Sequence, residues 1–92
     1  MIVRILGEGQ YDVPEHSLDG LNELDAALEA ALDTGEETAF RAALTQLLER
    51  VRASGSRLPD DALQASDAIL PDEAASLEEV RDLLGEEGLI PG

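Results

Sequence analysis

The spacing of apolar residues changes along this chain, and each change marks a new kind of element. Ile2, Val3, Ile5 and Leu6 surround Arg4 in a β-branched run, Gly7-Glu8-Gly9 follows as a turn signal, and Gln10-Tyr11-Asp12-Val13 alternates polar and apolar. This pattern predicts an N-terminal β-hairpin whose second strand returns along an edge, with Pro14 ending the pairing. From Ser17 the period lengthens. Leu18, Leu21, Leu24, Leu28, Ala31 and Leu32 recur at steps of three and four, one stripe of an amphipathic helix. Glu23, Asp25, Glu29 and Asp33 fall outside the leucine positions and are expected towards water. Ser17 reads as the N-cap and Gly35 as the C-terminal stop.

Phe40, Leu44, Leu47, Leu48 and Val51 form the apolar face of a second helix. Arg50 and Arg52 near its end complement the helix dipole, and Gly55 closes it. So short a connection between the two helices predicts an antiparallel αα-hairpin. The stretch from 56 to 75 is less regular. Leu58-Pro59-Asp60-Asp61 reads as a turn opening a short helical segment to Leu63, and Ala68-Ile69-Leu70 before Pro71 as a short third strand, its proline marking an end or an edge. Ser76-Leu77-Glu78-Glu79 has the form of a capping box. It opens a C-terminal helix with Leu77, Val80, Leu83 and Leu84 on one face and Gly85 at its end. The order ββαα(β)α describes one small α+β domain spanning residues 1–92.

Composition narrows the chemistry. Tyr11 and Phe40 are the sole aromatic residues, so the core must be leucine and alanine. The chain sets 21 Asp+Glu against 6 arginines with no lysine, a formal net charge of −15. Such a charge repels nucleic-acid phosphates and the anionic face of a membrane, which disfavours direct contact with either and favours a basic protein partner. The same composition is also what a GC-rich genome or a saline cytoplasm produces without any partner. One histidine and no cysteine leave few groups able to attack or change protonation near neutral pH, so a binding or regulatory module is expected in preference to an enzyme. A disulfide scaffold and a thiolate zinc site are excluded. The first residues are too short for a signal-peptide core, and no apolar run approaches a membrane span, so a cytoplasmic location is expected.

No catalytic, cofactor-binding or metal-binding residue is assigned, and no cofactor is expected. His16, between Glu15 and Ser17 at a helix entry, reads as an exposed cap-region side chain. The pairs Asp60-Asp61, Asp72-Glu73, Glu78-Glu79 and Glu86-Glu87 offer hard oxygen ligands, but none follows the spacing of a calcium loop. Gly7-Glu8-Gly9 lacks the third glycine, helix and lysine of a phosphate cradle. Candidate contacts for a partner are Tyr11 and Val13 on the returning strand and the apolar tail residues Leu89, Ile90 and Pro91, which either fold back on the core or dock elsewhere.

Several segments in series carry a resemblance. They are Met1 to Tyr11, Leu21-Asn22-Glu23-Leu24-Asp25, Phe40 ahead of Leu47-Leu48, and Leu58-Pro59-Asp60-Asp61. Ser66-Asp67-Ala68-Ile69-Leu70-Pro71, Leu77-Glu78-Glu79-Val80 and Glu87-Gly88-Leu89-Ile90-Pro91 complete the series. Together they resemble PspAA, the PspA-associated domain, essentially end to end. The resemblance implies a cytoplasmic partner of PspA, the coiled-coil phage-shock protein that assembles on stressed inner membranes. It transfers no catalytic and no interface residues. Taken with the charge, it implies a non-enzymatic adaptor of the envelope-stress response that reaches the membrane indirectly, through its partner. Two other readings stand beside it: an acidic regulator that mimics nucleic acid on a basic protein, and a small hydrolase or metal-dependent enzyme with converging carboxylates. A homodimer through the hairpin edge or the leucine-rich helices is a further expectation.

Overall fold

Alternation in the first residues builds the sheet. A computed structural model describes residues 1–62 and 64–83 of the chain. Strand β1 (Ile2–Ile5) turns back into β2 (Gly9–Asp12), in the antiparallel register Val3 to Tyr11 and Ile5 to Gly9. The turn is closed by the Glu8 amide donating to the Ile5 carbonyl at 3.0 Å. Helices α1 (Leu18–Thr34) and α2 (Glu37–Ser54) follow, then β3 (Ser56–Arg57), β4 (Ala68–Leu70) and α3 (Leu77–Leu83). The sheet order is β3-β2-β1-β4, with β4 parallel to β1 and the other pairs antiparallel. This is the expected α+β domain: hairpin, helical hairpin, further short strands and a short last helix.

One face of the sheet presents Val3, Ile5, Tyr11, Ala68 and Leu70 to the core, and the helices add Leu21, Leu28, Leu32, Phe40, Leu44, Leu47, Leu48 and Val51. The stripe on each helix is therefore the one its spacing predicts. α1 ends where Gly35 enters the left-handed region at φ 74°, a conformation that costs glycine no Cβ clash, and its amide reaches back to the Ala31 and Leu32 carbonyls. Ser76 caps α3, its hydroxyl accepting from the Glu79 amide at 3.1 Å.

The structure departs from expectation in several places. β2 is not an edge, because β3 pairs along its outer side through Tyr11 to Arg57 and Asp12 to Ser56. A two-residue strand has too little alternation to announce itself. Asp25, expected towards water, is 5% exposed: it lies four residues after Leu21 and three before Leu28, hence on the core stripe. Ser17 makes no side-chain cap, since a 3₁₀ turn over Glu15–Ser17 leads directly into α1. Gly55 ends α2 in extended rather than left-handed backbone. A Cβ there would sit 2.9 Å from Tyr11 Cβ, so its smallness serves the close approach of the helix end to β2. After Leu58 the chain turns, Ala62 donating to the Pro59 carbonyl; the expected helical end at Leu63 lies outside the described residues, as do Leu84 and Gly85.

Candidate functional site

The hairpin turn and the last turn of α2 meet at one cluster of charges. Glu8, lifted by the turn, receives Arg52 from α2 in a two-pronged arrangement: Nε to Oε2 at 2.9 Å and Nη2 to Oε1 at 2.7 Å. The third arm of the same guanidinium, Nη1, donates to Glu73 Oε1 at 2.6 Å. Tyr11, aimed at the core side of β2, donates its hydroxyl to Glu8 Oε2, and Arg57 donates to the Glu8 main-chain carbonyl. Arg41 adds a hydrogen bond to the Glu73 carbonyl. Four segments distant in sequence are thereby joined, the planar fork of arginine matching the carboxylate.

Electrostatics follow from that geometry. Hydrogen bonds from Arg52 and then Tyr11 hold the Glu8 carboxyl down to about 2 from its ordinary 4.5, against the opposing effect of burial. The Tyr11 hydroxyl is pushed up, first by its bond to Glu8 and then by burial. Arg52 is raised, chiefly by Glu8 and then by Glu73. Glu8, Tyr11 and Arg52 are each held in the charge state they already have in neutral water. Nothing in this cluster is poised to pass a proton near pH 7, so its chemistry is that of a clamp.

Of the residues singled out from sequence, Tyr11 and Glu73 belong to this cluster, and the other described ones lie elsewhere or inside. Tyr11 is 7% exposed and Val13 wholly buried, both within the core. Leu89, Ile90 and Pro91 lie outside the described residues, as do Glu86 and Glu87. His16 stands exposed beside a cleft of about 290 Å³ with Ser17, Gly20, Arg50 and Ser54. Asp60, Asp61, Asp72, Glu73, Glu78 and Glu79 are all exposed. Among the described residues no three His, Cys, Asp or Glu side chains converge as metal ligands would. The joining of Glu8 and Glu73 by Arg52 escaped sequence reasoning because those contacts span 44 and 21 residues. Arg52 itself reads from sequence as a partner of the helix dipole.

The outer surface of the helical hairpin is acidic around a shallow apolar seam. Asp19, Glu23 and Asp33 on α1, Glu36 just before α2, and Glu37 and Glu49 on α2 are exposed. Between the helices, Ala27, Ala30, Ala39 and Ala42 help line a groove of about 520 Å³. No helix among the described residues is long and apolar enough to cross a membrane.

The whole chain, residues 1–92, matches the model of the PspAA family, described as PspA-associated protein. The chain belongs to the PspAA family. No curated protein and no solved structure matches it. PspAA membership associates the chain with PspA and, through PspA, with the envelope-stress response; the family is an accessory one whose description names a companion protein and no reaction.

Proposed function

We propose that this PspAA protein acts by contact: a cytoplasmic, non-enzymatic adaptor that docks on a basic surface of its PspA and modulates PspA assembly or membrane association. The observation that carries this reading is the family match over all 92 residues. The charge supports it. At −15 the chain is repelled by anionic lipid, so its route to a membrane runs through the partner rather than through its own surface. The only strongly coupled charge cluster described above is a clamp, which leaves the exposed carboxylates of α1 and α2 as the chemistry on offer.

Copurification with the PspA encoded in the same genome tests the proposal. A complex at low ionic strength that weakens as salt rises is the expected result, because exposed charge pairs are screened beyond the Debye length, about 10 Å at 0.1 M. No complex with that PspA at low salt overturns it. Capture of a DNA- or RNA-binding protein in its place would favour nucleic-acid mimicry instead.

A further inference from the structure

The two halves of the sheet's outer face differ. Over β2 the segment after β3 covers it: Gln10 is 5% exposed and its side-chain amide donates to the Gln64 carbonyl and the Ser66 hydroxyl at 2.8 and 2.9 Å. Over β1 and β4 no described segment covers the face. Leu6 and Ile69, 40% and 47% exposed, are the large apolar side chains left in water among the described residues. They lie on one face with Arg4, which is paired in register with Ile69. Arg4 is exposed and, like Arg50, makes no ion pair or hydrogen bond with the other described residues, whereas Arg41, Arg52, Arg57 and Arg81 are all bonded to carboxylates or carbonyls.

β4 is also the last strand of the sheet among the described residues. Met1 and Val13 exchange main-chain hydrogen bonds at 2.9 and 2.8 Å, so odd positions of β1 face β2 and even positions face β4. The Leu6 amide meets the Leu70 carbonyl at 2.9 Å in keeping with that alternation. Ala68 and Leu70 therefore bond inwards, and the Ile69 N–H and C=O point away from the sheet. Of the homodimer routes that the sequence suggested, the hairpin's outer edge is paired in part by β3 and most of the leucine stripe is buried.

We propose that β4 is a self-association edge: two copies pair antiparallel about a twofold axis through Ile69, joining their sheets into one. A twofold is self-complementary here, each Ile69 N–H meeting the other copy's Ile69 carbonyl. In this register Ile69 faces Ile69, Ala68 faces Leu70 and Asp67 faces Pro71, so no charge opposes its like. Three-residue strands bury far less than the roughly 1,200 Å² of a stable interface, so the dimer is weak and concentration-dependent. The contact is apolar at its centre while each monomer carries −15, so salt strengthens it by screening monomer repulsion. That dependence is opposite to the one expected for docking on PspA, and the two interactions are independent.

Sedimentation equilibrium of the full chain alone, from about 10 µM to about 1 mM and in about 0.1 M and 1 M KCl, reads it directly. The dimer fraction is expected to rise with both protein and salt. Ile69→Lys should weaken association at least about tenfold, with circular dichroism confirming an unchanged fold. Hydrogen exchange at the Ile69 amide of the unmodified chain should slow as dimer forms, a readout that needs no variant. A monomer across the whole range overturns the proposal. So does a dimer that survives Ile69→Lys or leaves the Ile69 amide unprotected.

Discussion

In the body of the molecule, α1 and α2 join the sheet through side chains that water does not reach: Leu21, Leu28, Phe40, Leu44, Leu47 and Val51 are fully buried. The segment after β4 is held differently. Ala75 and Val80 are its buried apolar anchors, and its polar anchors are arginines, Arg41 on the Glu73 carbonyl, Arg52 on the Glu73 carboxylate and Arg81 on the Leu32 carbonyl. Burial of leucine is indifferent to pH and little affected by modest salt, whereas guanidinium contacts depend on the charge and screening of what they touch. Arginine keeps its proton, so the only titrating side of those contacts is the carboxylate. In a chain with 21 acids and 6 arginines, most of the arginines are committed to holding the fold.

The largest effect should come from breaking the apolar side. Phe40→Ala or Leu47→Ala removes a fully buried side chain and should cost about 3–5 kcal/mol in urea denaturation, a large part of a small domain's stability. A cost under about 1 kcal/mol would mean the core collapses around the gap, and the contrast between the two regions would fail.

Gly55→Ala probes the join between helix and sheet. The added methyl would meet Tyr11 Cβ at 2.9 Å and the Val51 carbonyl at 3.0 Å, so about 1–3 kcal/mol should be lost. A neutral substitution would show that the end of α2 shifts freely from β2.

The charged side should yield less and yield differently. Arg52→Met keeps the apolar stem but deletes the fork, and should cost about 1–2 kcal/mol, discounted for the partial exposure of the group. Amide exchange at Ala75 and Val80 should quicken more than in α1 and α2; uniform quickening would mean the arginine supports the whole fold alike.

Glu8 gives that side its pH signature. Its carboxyl sits at about 2 when folded against 4.5 ordinarily, so the folded state is the stronger acid. The stability it contributes is complete above about 4.5 and drains away as pH falls from there towards 2. Glu8→Gln should flatten that part of a stability–pH curve and leave the neutral region without a new slope. An unchanged acid limb would place the titration elsewhere. Arg81→Gln, at an exposed anchor, should have the smallest effect, below about 1 kcal/mol by thermal melting.

Much of the architecture was legible in the residues because it depends on local periodicity. The alternation of Ile2 to Val13 specified a hairpin, and the three-and-four spacing from Leu18 to Val51 specified two helices and their buried faces. Ser76 signalled its cap, since the partner amide is three residues away. Asp25 was misplaced for a reason that is also local: its heptad position puts it on the core stripe, but its charge argued otherwise.

Contacts between residues far apart in sequence had no such signal. The clamp of Glu8, Arg52 and Glu73 required the hairpin turn, the end of α2 and the loop after β4 to arrive at one point. The parallel pairing of β4 with β1 and the pairing of β3 with β2 depend on where the helical hairpin returns the chain to the sheet. Local patterning determined the elements and their apolar faces, because the physics of strand and helix acts over a few residues. The tertiary structure alone decided which strand ends the sheet among the described residues and which arginines are drawn into the fold, because both follow from chain segments competing for the same space.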